Sequence, residues 1–136
     1  MTEKMKLITR DTDYAIRALC YIAKQGKKVV SANSLVISME IPRPFLRKIL
    51  QRLNKAKMLK SHKGKGGGFV LTRSPEKIFI IDLIKIFQGP IKLSEHIFKK
   101  HVCPHIKTCA LKKRLDIIEK KVINDLKAIT IKSLIS

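Results

Sequence analysis

Cysteines are the most reactive side chains in this sequence, and two of the three lie close together. Cys103 and Cys109 have five residues between them, whereas Cys20 lies far upstream in an apolar stretch. Three scattered cysteines are too few for a secreted disulfide framework, so in a reducing compartment they are thiols, metal ligands or redox sensors. Taken alone, the pair is a weak metal signal, and inert surface thiols are the simplest interpretation. Cys20 fits a small core residue.

Groupings of side chains that are typical of enzymes are absent from the sequence. It has no Cys-x-x-Cys pair, no nucleophile elbow and no paired carboxylates, and only 10 residues are acidic. The run GKGGG at residues 64–68 is not a phosphate-binding loop, because no Gly-Lys-Ser/Thr ends it and no helix follows directly. We therefore predict that the protein is not an enzyme.

Positive charge is the dominant chemical feature of the chain. Its 136 residues include 30 Lys and Arg against 10 Asp and Glu, a formal net charge of +20. This excess indicates a polyanionic partner, either nucleic acid or an acidic membrane surface. No apolar run approaches the roughly 20 residues of a membrane span, and no signal-peptide core follows the N-terminus, so we expect a cytoplasmic protein. The absence of Trp and the 5% aromatic content argue against stacking on single-stranded bases.

Residues 41–55 predict the helix that presents much of this charge. Arg43 precedes a proline and is therefore predicted as the N-cap, with Pro44 at the first helical position. Apolar residues recur with the spacing of one helical face, at Leu46, Ile49, Leu50 and Leu53. The opposite face is polar and its charges are all positive: Arg47, Lys48, Gln51, Arg52 and Lys55.

A glycine-rich hairpin is predicted directly after this helix. Residues 58–63 and 69–73 are short runs that flank a tip with four of the chain's six glycines. A cationic helix followed by a basic hairpin is the pattern of a winged helix-turn-helix, in which the helix enters the major groove and the hairpin lies along the backbone or reaches the minor groove. A solvated helix and an ordinary surface turn are the simpler alternative, which the overall charge disfavours.

Each side chain of the cationic helix and hairpin suits a particular contact with duplex DNA. Arginine pairs guanine and glutamine pairs adenine through two hydrogen bonds, so Arg43, Arg47 and Gln51 are the candidates for base edges. Lysines more often meet phosphates, and the candidates are Lys48, Lys55, Lys63 and Lys65. Arg52 completes the predicted DNA-binding set. An RNA- or ribosome-associated winged helix has a similar charge and is the alternative binding function.

The rest of the chain predicts a mainly α protein in two parts, a winged helix-turn-helix over residues 1–88 and a sensor loop with a dimerisation helix over 89–136. We expect the first helix to begin at Thr9 or Thr12 and to end near Gln25, and the second to span 32–38. Residues 80–87 fit a buried helix or a strand. Residues 91–108 have no clean period, and a long helix follows over Ala110–Lys127.

The long helix has more apolar surface than one flank of a small domain covers. Its stripe consists of Leu111, Leu115, Ile118, Val122 and Leu126, which Ile117, Ile123 and Ile129 widen. We therefore predict a homodimer, whose two recognition helices would reach successive major grooves of a roughly palindromic operator. The alternative is that this helix folds back on its own domain.

Three stretches of the sequence resemble segments of a known family. They read PRPFLRKILQRLNKAKMLKSHKGKGGGFVLTRSPEKI, TDYAIRALCYIA and CALKKRLDIIEKKV, and together they extend over nearly the whole chain. They resemble the recognition helix and wing, the first helix and the dimerising helix of the Rrf-type regulators, which are small bacterial winged-helix transcription factors. The resemblance implies a dimeric DNA-binding regulator. One departure is Lys57, where the family usually has glycine; a left-handed lysine costs roughly 1 kcal/mol there.

The resemblance also implies a sensor at the start of the long helix. Cluster-binding members of the family have three cysteines in a C-x5-C-x5-C-like run at this junction. Cys109 resembles the last of these and Cys103 the middle one, whereas the first falls at Ile97, which cannot ligate iron. A cluster-free member, which senses by oxidation of the same two cysteines, is the alternative.

Two further ligands of an iron–sulfur cluster follow from the same resemblance. Some members complete the site with an acidic residue from the first helix of the other subunit, and Asp13 lies at the matching position. His101 or His105 would supply the remaining ligand, because imidazole replaces thiolate in some two-iron clusters. The resemblance thus implies a 2Fe-2S or 4Fe-4S cluster on Cys103, Cys109, Asp13 and a histidine, with a repressor's DNA affinity under its control.

Overall fold

The described part of the chain consists of helices and an antiparallel hairpin. The computed structural model describes residues 6–92 and 110–136, and the candidate ligands Cys103, Cys109, His101 and His105 lie outside these ranges. The described elements are α1 (Arg10–Lys24), α2 (Ala32–Met39), α3 (Arg43–Lys55), β1 (Leu59–His62), β2 (Gly68–Leu71), a 3-10 turn (Pro75–Lys77), α4 (Ile80–Gln88), α5 (Ala110–Lys127) and α6 (Ile131–Ile135). The predicted fold class, mainly helical with a hairpin wing, is confirmed.

Local signals explain where α1 begins and ends. Thr9 is its N-cap, and its side chain accepts from the Thr12 amide. At the other end Gln25 is the C-cap, and Gly26 has the positive φ of 69° that lets the chain turn away. The helix buries residues at helical spacing, namely Ala15, Ala18, Leu19 and Ile22. Both predicted ends of this helix are confirmed to within a residue.

The helix-turn-helix consists of α2 and α3. Ser31 caps α2 by accepting from the Ser34 amide at 3.1 Å, and Glu40 follows α2 in the left-handed region. One prediction at this turn is wrong, because the N-cap of α3 is Pro42 and Arg43 is already helical. Proline is tolerated throughout the first helical turn, where amides have no acceptor, so Pro44 fits the second helical position as well as the first.

The recognition helix α3 packs through the predicted apolar face. All four of its stripe residues are buried: Leu46, Ile49, Leu50 and Leu53. They belong to the same buried cluster as Leu19 and Ile22 of α1 and Leu35 of α2. The core therefore holds α3 by its apolar face and leaves its polar face outward.

The wing is a two-stranded hairpin, slightly shorter than predicted. Leu59 pairs with Leu71 and His62 with Gly68 in an antiparallel register. At the base of the wing, Val30 and Phe69 exchange two backbone hydrogen bonds of 2.9 and 2.8 Å. A Cβ at Gly68 would lie 2.3 Å from the carbonyl oxygen of Val30, so only glycine permits this close approach. The hairpin is thereby fixed beside the start of α2.

The helix α4 and the C-terminal segment complete the core. Residues 80–87 are helical, so the strand interpretation is wrong; Ile80, Ile81, Leu83 and Ile84 are buried. Thr130 caps α6, and the Ile131 amide donates to the Ile78 carbonyl at 2.9 Å. Ile131 is fully buried among residues of the first four helices. The predicted domain boundary at residue 88 stays a prediction. The helix α6, which follows this boundary in the sequence, packs against α1, which precedes it.

Candidate nucleic-acid interface

The polar face of α3 is exposed and carries no negative charge. Arg47, Lys48, Gln51 and Lys55 are all exposed, and no described residue forms a hydrogen bond or ion pair with their side chains. No acidic residue occurs anywhere between Glu40 and Glu76, a stretch that includes α3 and the wing. A face of this kind attracts the phosphates of a nucleic acid and offers them no competing anion.

The three predicted base-reading residues lie together along one groove. A cavity of about 310 Å³ lies between α2, α3 and β2, and its lining includes Arg43, Arg47 and Gln51. Its other lining residues are apolar: Ala32, Val36, Leu46, Leu50 and Phe69. Arg43 is held in place at the edge of α2, because its Nη2 donates to Asn33 Oδ1 at 2.7 Å. We call this side of α3 the groove flank.

The opposite flank of α3 contacts other helices. The Arg52 guanidinium donates from Nη2 to the Ile86 carbonyl of α4 at 2.9 Å and lies 5.1 Å from the centre of the Phe87 ring. Phe45 lies two turns before Arg52 on α3, and the centre of its ring is 5.0 Å from the guanidinium of Arg10 in α1. Arg52, predicted as a DNA contact, is thus engaged within the protein. We call the side with Phe45 and Arg52 the packed flank.

The wing presents two lysines beside its glycines. Lys63 and Lys65 are exposed, and Lys65 lies between Gly64 and Gly66, whose φ angles are 93° and 79°. The turn is closed by the Gly67 amide, which donates to the Gly64 carbonyl at 3.0 Å. Side chains in such a short tip extend away from the core, as a phosphate or minor-groove contact requires.

Lys57 connects α3 to the wing in the left-handed region. Its φ is 63°, and its carbonyl accepts from Thr72 Oγ1 at 2.5 Å. The chain reverses here and enters β1 two residues later. The position where the resembled family usually has glycine therefore has the conformation that favours glycine.

Of the four predicted cluster ligands, the described residues include Asp13 alone. Its Oδ2 accepts from Arg17 Nε at 2.9 Å, and both side chains are partly exposed, so the pair is the ordinary i,i+4 pair of a helix surface. Within residues 6–92 and 110–136, no three His, Cys, Asp or Glu side chains are placed to hold a metal ion. The other three members of the predicted ligand set lie outside these ranges, and the set stays a prediction.

Cys20 has the character of a packing residue. It is half-buried against the core, and this burial raises the pKa of its thiol, although Lys24 and Arg17 oppose the shift. A raised pKa keeps the thiol protonated and unreactive at neutral pH.

The helix α5 leaves much of its apolar surface uncovered. Leu126 is its one buried residue, whereas Leu111, Ile117 and Ile118 are 59%, 67% and 50% exposed. Its charges include both signs, with an ion pair of 2.8 Å between Lys112 and Asp116. Neither α5 nor any other helix of the described part is long and apolar enough to cross a membrane.

Sequence reasoning missed the contacts of the packed flank. Phe45 has no role in the apolar stripe of α3, and its exposed fraction of 41% identifies it as a surface aromatic residue. Its spacing of seven residues from Arg52 was a usable signal, because such residues lie on the same side of a helix. The partners Arg10 and Phe87 belong to distant segments, and no local pattern indicates them.

Comparison with known proteins agrees with this architecture. Residues 8–136 match the Rrf2 family, described as an iron-dependent transcriptional regulator. A relative from Aquifex aeolicus (strain VF5), named provisionally as an HTH-type transcriptional regulator, is 32% identical over 90% of this chain and 87% of its own. The HTH-type transcriptional regulator NsrR of Bacillus licheniformis (strain ATCC 14580) is 28% identical over 90% of this chain and 92% of its own.

Solved structures show the same fold. CymR, the global cysteine regulator of B. subtilis, superposes with a TM-score of 0.76 at 22% identity, over 96% of this chain and 97% of its own. The relatives are regulators, which confirms the prediction that the chain is not an enzyme. This protein therefore belongs to the Rrf2 family of winged helix-turn-helix, DNA-binding transcriptional regulators.

Proposed function

We propose that this protein is a homodimeric repressor that binds a roughly palindromic duplex DNA site and whose affinity responds to a redox or iron–sulfur signal. The observation that carries the DNA-reading part is the acid-free exposed face of α3 beside a groove lined by Arg43, Arg47 and Gln51. In this proposal these three residues contact base edges. The phosphate contacts are made by four lysines: Lys48, Lys55, Lys63 and Lys65.

Selection from random duplexes tests this part of the proposal. The bound duplexes should converge on one site with approximate two-fold symmetry. In gel shifts, the protein should retain that site in the presence of excess nonspecific DNA and structured RNA. Displacement by the structured RNA would instead favour the RNA- or ribosome-associated function, and a failure to converge would contradict sequence-specific binding.

The dimer in this proposal forms through α5. Its support is the exposure of Leu111 and Ile118, which are seven residues apart and therefore lie on the same side of the helix. A second copy of α5 is the simplest apolar partner for this surface, because a two-fold axis matches a patch with itself. The same axis would place two copies of α3 about one helical turn of DNA apart.

The sensor in this proposal uses Cys103 and Cys109 as thiolate ligands, with Asp13 and His101 or His105 as the other two. The donor chemistry fits an iron–sulfur cluster in part, since two thiolates are soft ligands and the imidazole has precedent in two-iron clusters. Asp13 is a hard donor, and it is accessible on α1 but already paired with Arg17. A carboxylate should therefore be the most labile ligand. Its release would remove one restraint from the first turn of α1, which Gln88 of α4 also holds.

Anaerobic reconstitution with iron and sulfide tests the sensor. A coloured product with stoichiometric iron, lost on replacement of Cys103 or Cys109 by Ala, would support the cluster. A colourless, iron-free product, whose DNA affinity still responds to peroxide only when both cysteines are present, would exclude the cluster and support the thiol switch. Replacing Cys20, which packs against the core, is the matched control and should change neither result.

A further inference from the structure

The last turn of α4 contacts an arginine of the recognition helix. The Ile86 carbonyl lies among the last four of α4, which have no acceptor role inside the helix, and Arg52 donates to it at 2.9 Å. A cation is favourable at this end of a helix because the helix dipole is negative there. The same guanidinium lies 5.1 Å from the centre of the Phe87 ring, so a carbonyl and an aromatic ring both hold it.

The same turn of α4 also contacts the start of α1. Gln88 Oε1 accepts from Thr12 Oγ1 at 2.6 Å and from the Thr9 amide at 2.8 Å, while Gln88 Nε2 donates to the Leu7 carbonyl at 3.0 Å. Thr12 is fully buried, so its hydroxyl depends on Gln88 and on the neighbouring Thr9. The final turn of α4, Ile86 to Gln88, thereby joins the first turn of α1 to the packed flank of α3.

Two cations fix the packed flank at both ends. Arg10 of α1 lies over Phe45 near the start of α3, and Arg52 near its end lies over Phe87. The lysines that are free to meet phosphates have no such contacts with the described residues. Arg52 donates to a carbonyl and lies over a ring at the same time. The ammonium of a lysine is a compact point charge and does not replace a guanidinium in such a site.

We propose that Arg52 is a positioning residue, which sets the angle of the recognition helix by binding the last turn of α4 and does not contact DNA. Through Gln88, that turn links the angle of α3 to the first turn of α1, where Asp13 lies. The inference rests on the proposed function, because it assigns a role within DNA recognition by α3. When the link is broken, a smaller fraction of molecules has α3 at the angle that binds DNA. The apparent affinity falls in proportion to that fraction.

Charge-preserving and ring-preserving variants test this role. The affinity of the selected duplex is measured by fluorescence anisotropy over a range of salt concentrations for Arg52→Lys, Phe87→Leu and Phe87→Tyr. Arg52→Lys and Phe87→Leu should each weaken binding about three- to tenfold, with an unchanged salt slope, because no phosphate contact is lost. Phe87→Tyr retains the ring and should bind with the affinity of the unmutated protein. The double variant Arg52→Lys with Phe87→Leu should bind no more weakly than the weaker of its two single variants.

Several outcomes would overturn the inference. If Arg52→Lys binds normally while Arg52→Ala flattens the salt slope by about one, Arg52 meets a phosphate. Additive losses in the double variant would show that Arg52 and Phe87 act separately. Equal losses in Phe87→Leu and Phe87→Tyr, with a lowered unfolding temperature in both, would reduce Phe87 to a packing residue.

A control variant separates this inference from the proposed function. Lys48 is exposed on the same helix and contacts no described residue, so Lys48→Ala should lower both affinity and salt slope if α3 binds DNA. If Lys48→Ala and Arg52→Lys both leave binding unchanged, α3 does not read DNA and the proposed function fails. If Lys48→Ala alone weakens binding, the proposed function stands and the positioning role of Arg52 is excluded.

Discussion

The helices α3 and α5 are both amphipathic, yet they leave opposite kinds of surface exposed. In α3 all four stripe residues are buried, and the exposed charges are all positive. In α5 the stripe residues Leu111 and Ile118 are at least half exposed, and the charges of the helix include both signs. The difference indicates different partners: a polyanion suits α3, whereas α5 suits an apolar surface, which in the proposed dimer would be a second copy of α5.

The largest effect is expected from a charge placed in the apolar surface of α5. Ile118→Glu should convert a dimer into a particle of the 15.5 kDa chain mass, because an unpaired carboxylate would be buried at the interface. Losing the second recognition helix should weaken operator binding by about 10²- to 10⁴-fold. Sedimentation at micromolar concentration measures the mass, and anisotropy measures the affinity.

A matched control keeps this test specific. Lys120→Gln changes the net charge by the same amount on an exposed position of α5 away from Leu111 and Ile118, and it should leave the mass unchanged. If the unmutated protein already sediments at 15.5 kDa, α5 is not a dimer interface, and its exposed apolar surface does not indicate a second copy as partner.

A smaller effect is expected from the groove flank of α3. Arg47→Ala should cost about 1–3 kcal/mol on the selected site and relax the preference for one base pair, because a bidentate contact to guanine is lost. Lys65→Ala in the wing is the matched comparison: it should weaken all sequences alike and flatten the salt slope by roughly one. Binding and base preference that survive Arg47→Ala unchanged would contradict the assignment of α3 to the major groove.

Sequence reasoning reached the elements whose signals are local. The apolar stripe of α3, the glycine-tipped wing, the Thr9 cap and the bounds of α5 follow from spacing, turn chemistry and caps. Contacts between distant segments could not be predicted from such local signals. The hydrogen bond from Arg52 to Ile86 joins residues 34 positions apart, and the burial of Ile131 depends on a segment that returns to the core from the far end of the chain.

The same limit explains one error and two points that the sequence left open. Pro44 suits two positions of the first helical turn, so the start of α3 could be placed only to within a residue. Residues 80–87 are apolar and partly β-branched, so their spacing fits a helix or a strand; the helix is confirmed, and it packs against α1 and α5. The DNA contact of Arg52 stays a prediction, and its contact with Phe87 could not be predicted because it depends on the position of α4.

The smallest expected effect concerns the ends of the two helices. The chain leaves α3 through left-handed Lys57, whereas it leaves α5 and reaches the Thr130 cap without a left-handed residue. Lys57→Gly should remove the steric cost of a φ of 63° and raise the free energy of unfolding by up to about 1 kcal/mol, since the greater flexibility of unfolded glycine offsets part of the gain. Lys60→Gly, in β1 where φ is not positive, should instead destabilise the protein by roughly 0.5–1 kcal/mol. Urea unfolding measures both variants. A destabilised Lys57→Gly would mean that the contacts of the lysine side chain outweigh the strain of its backbone.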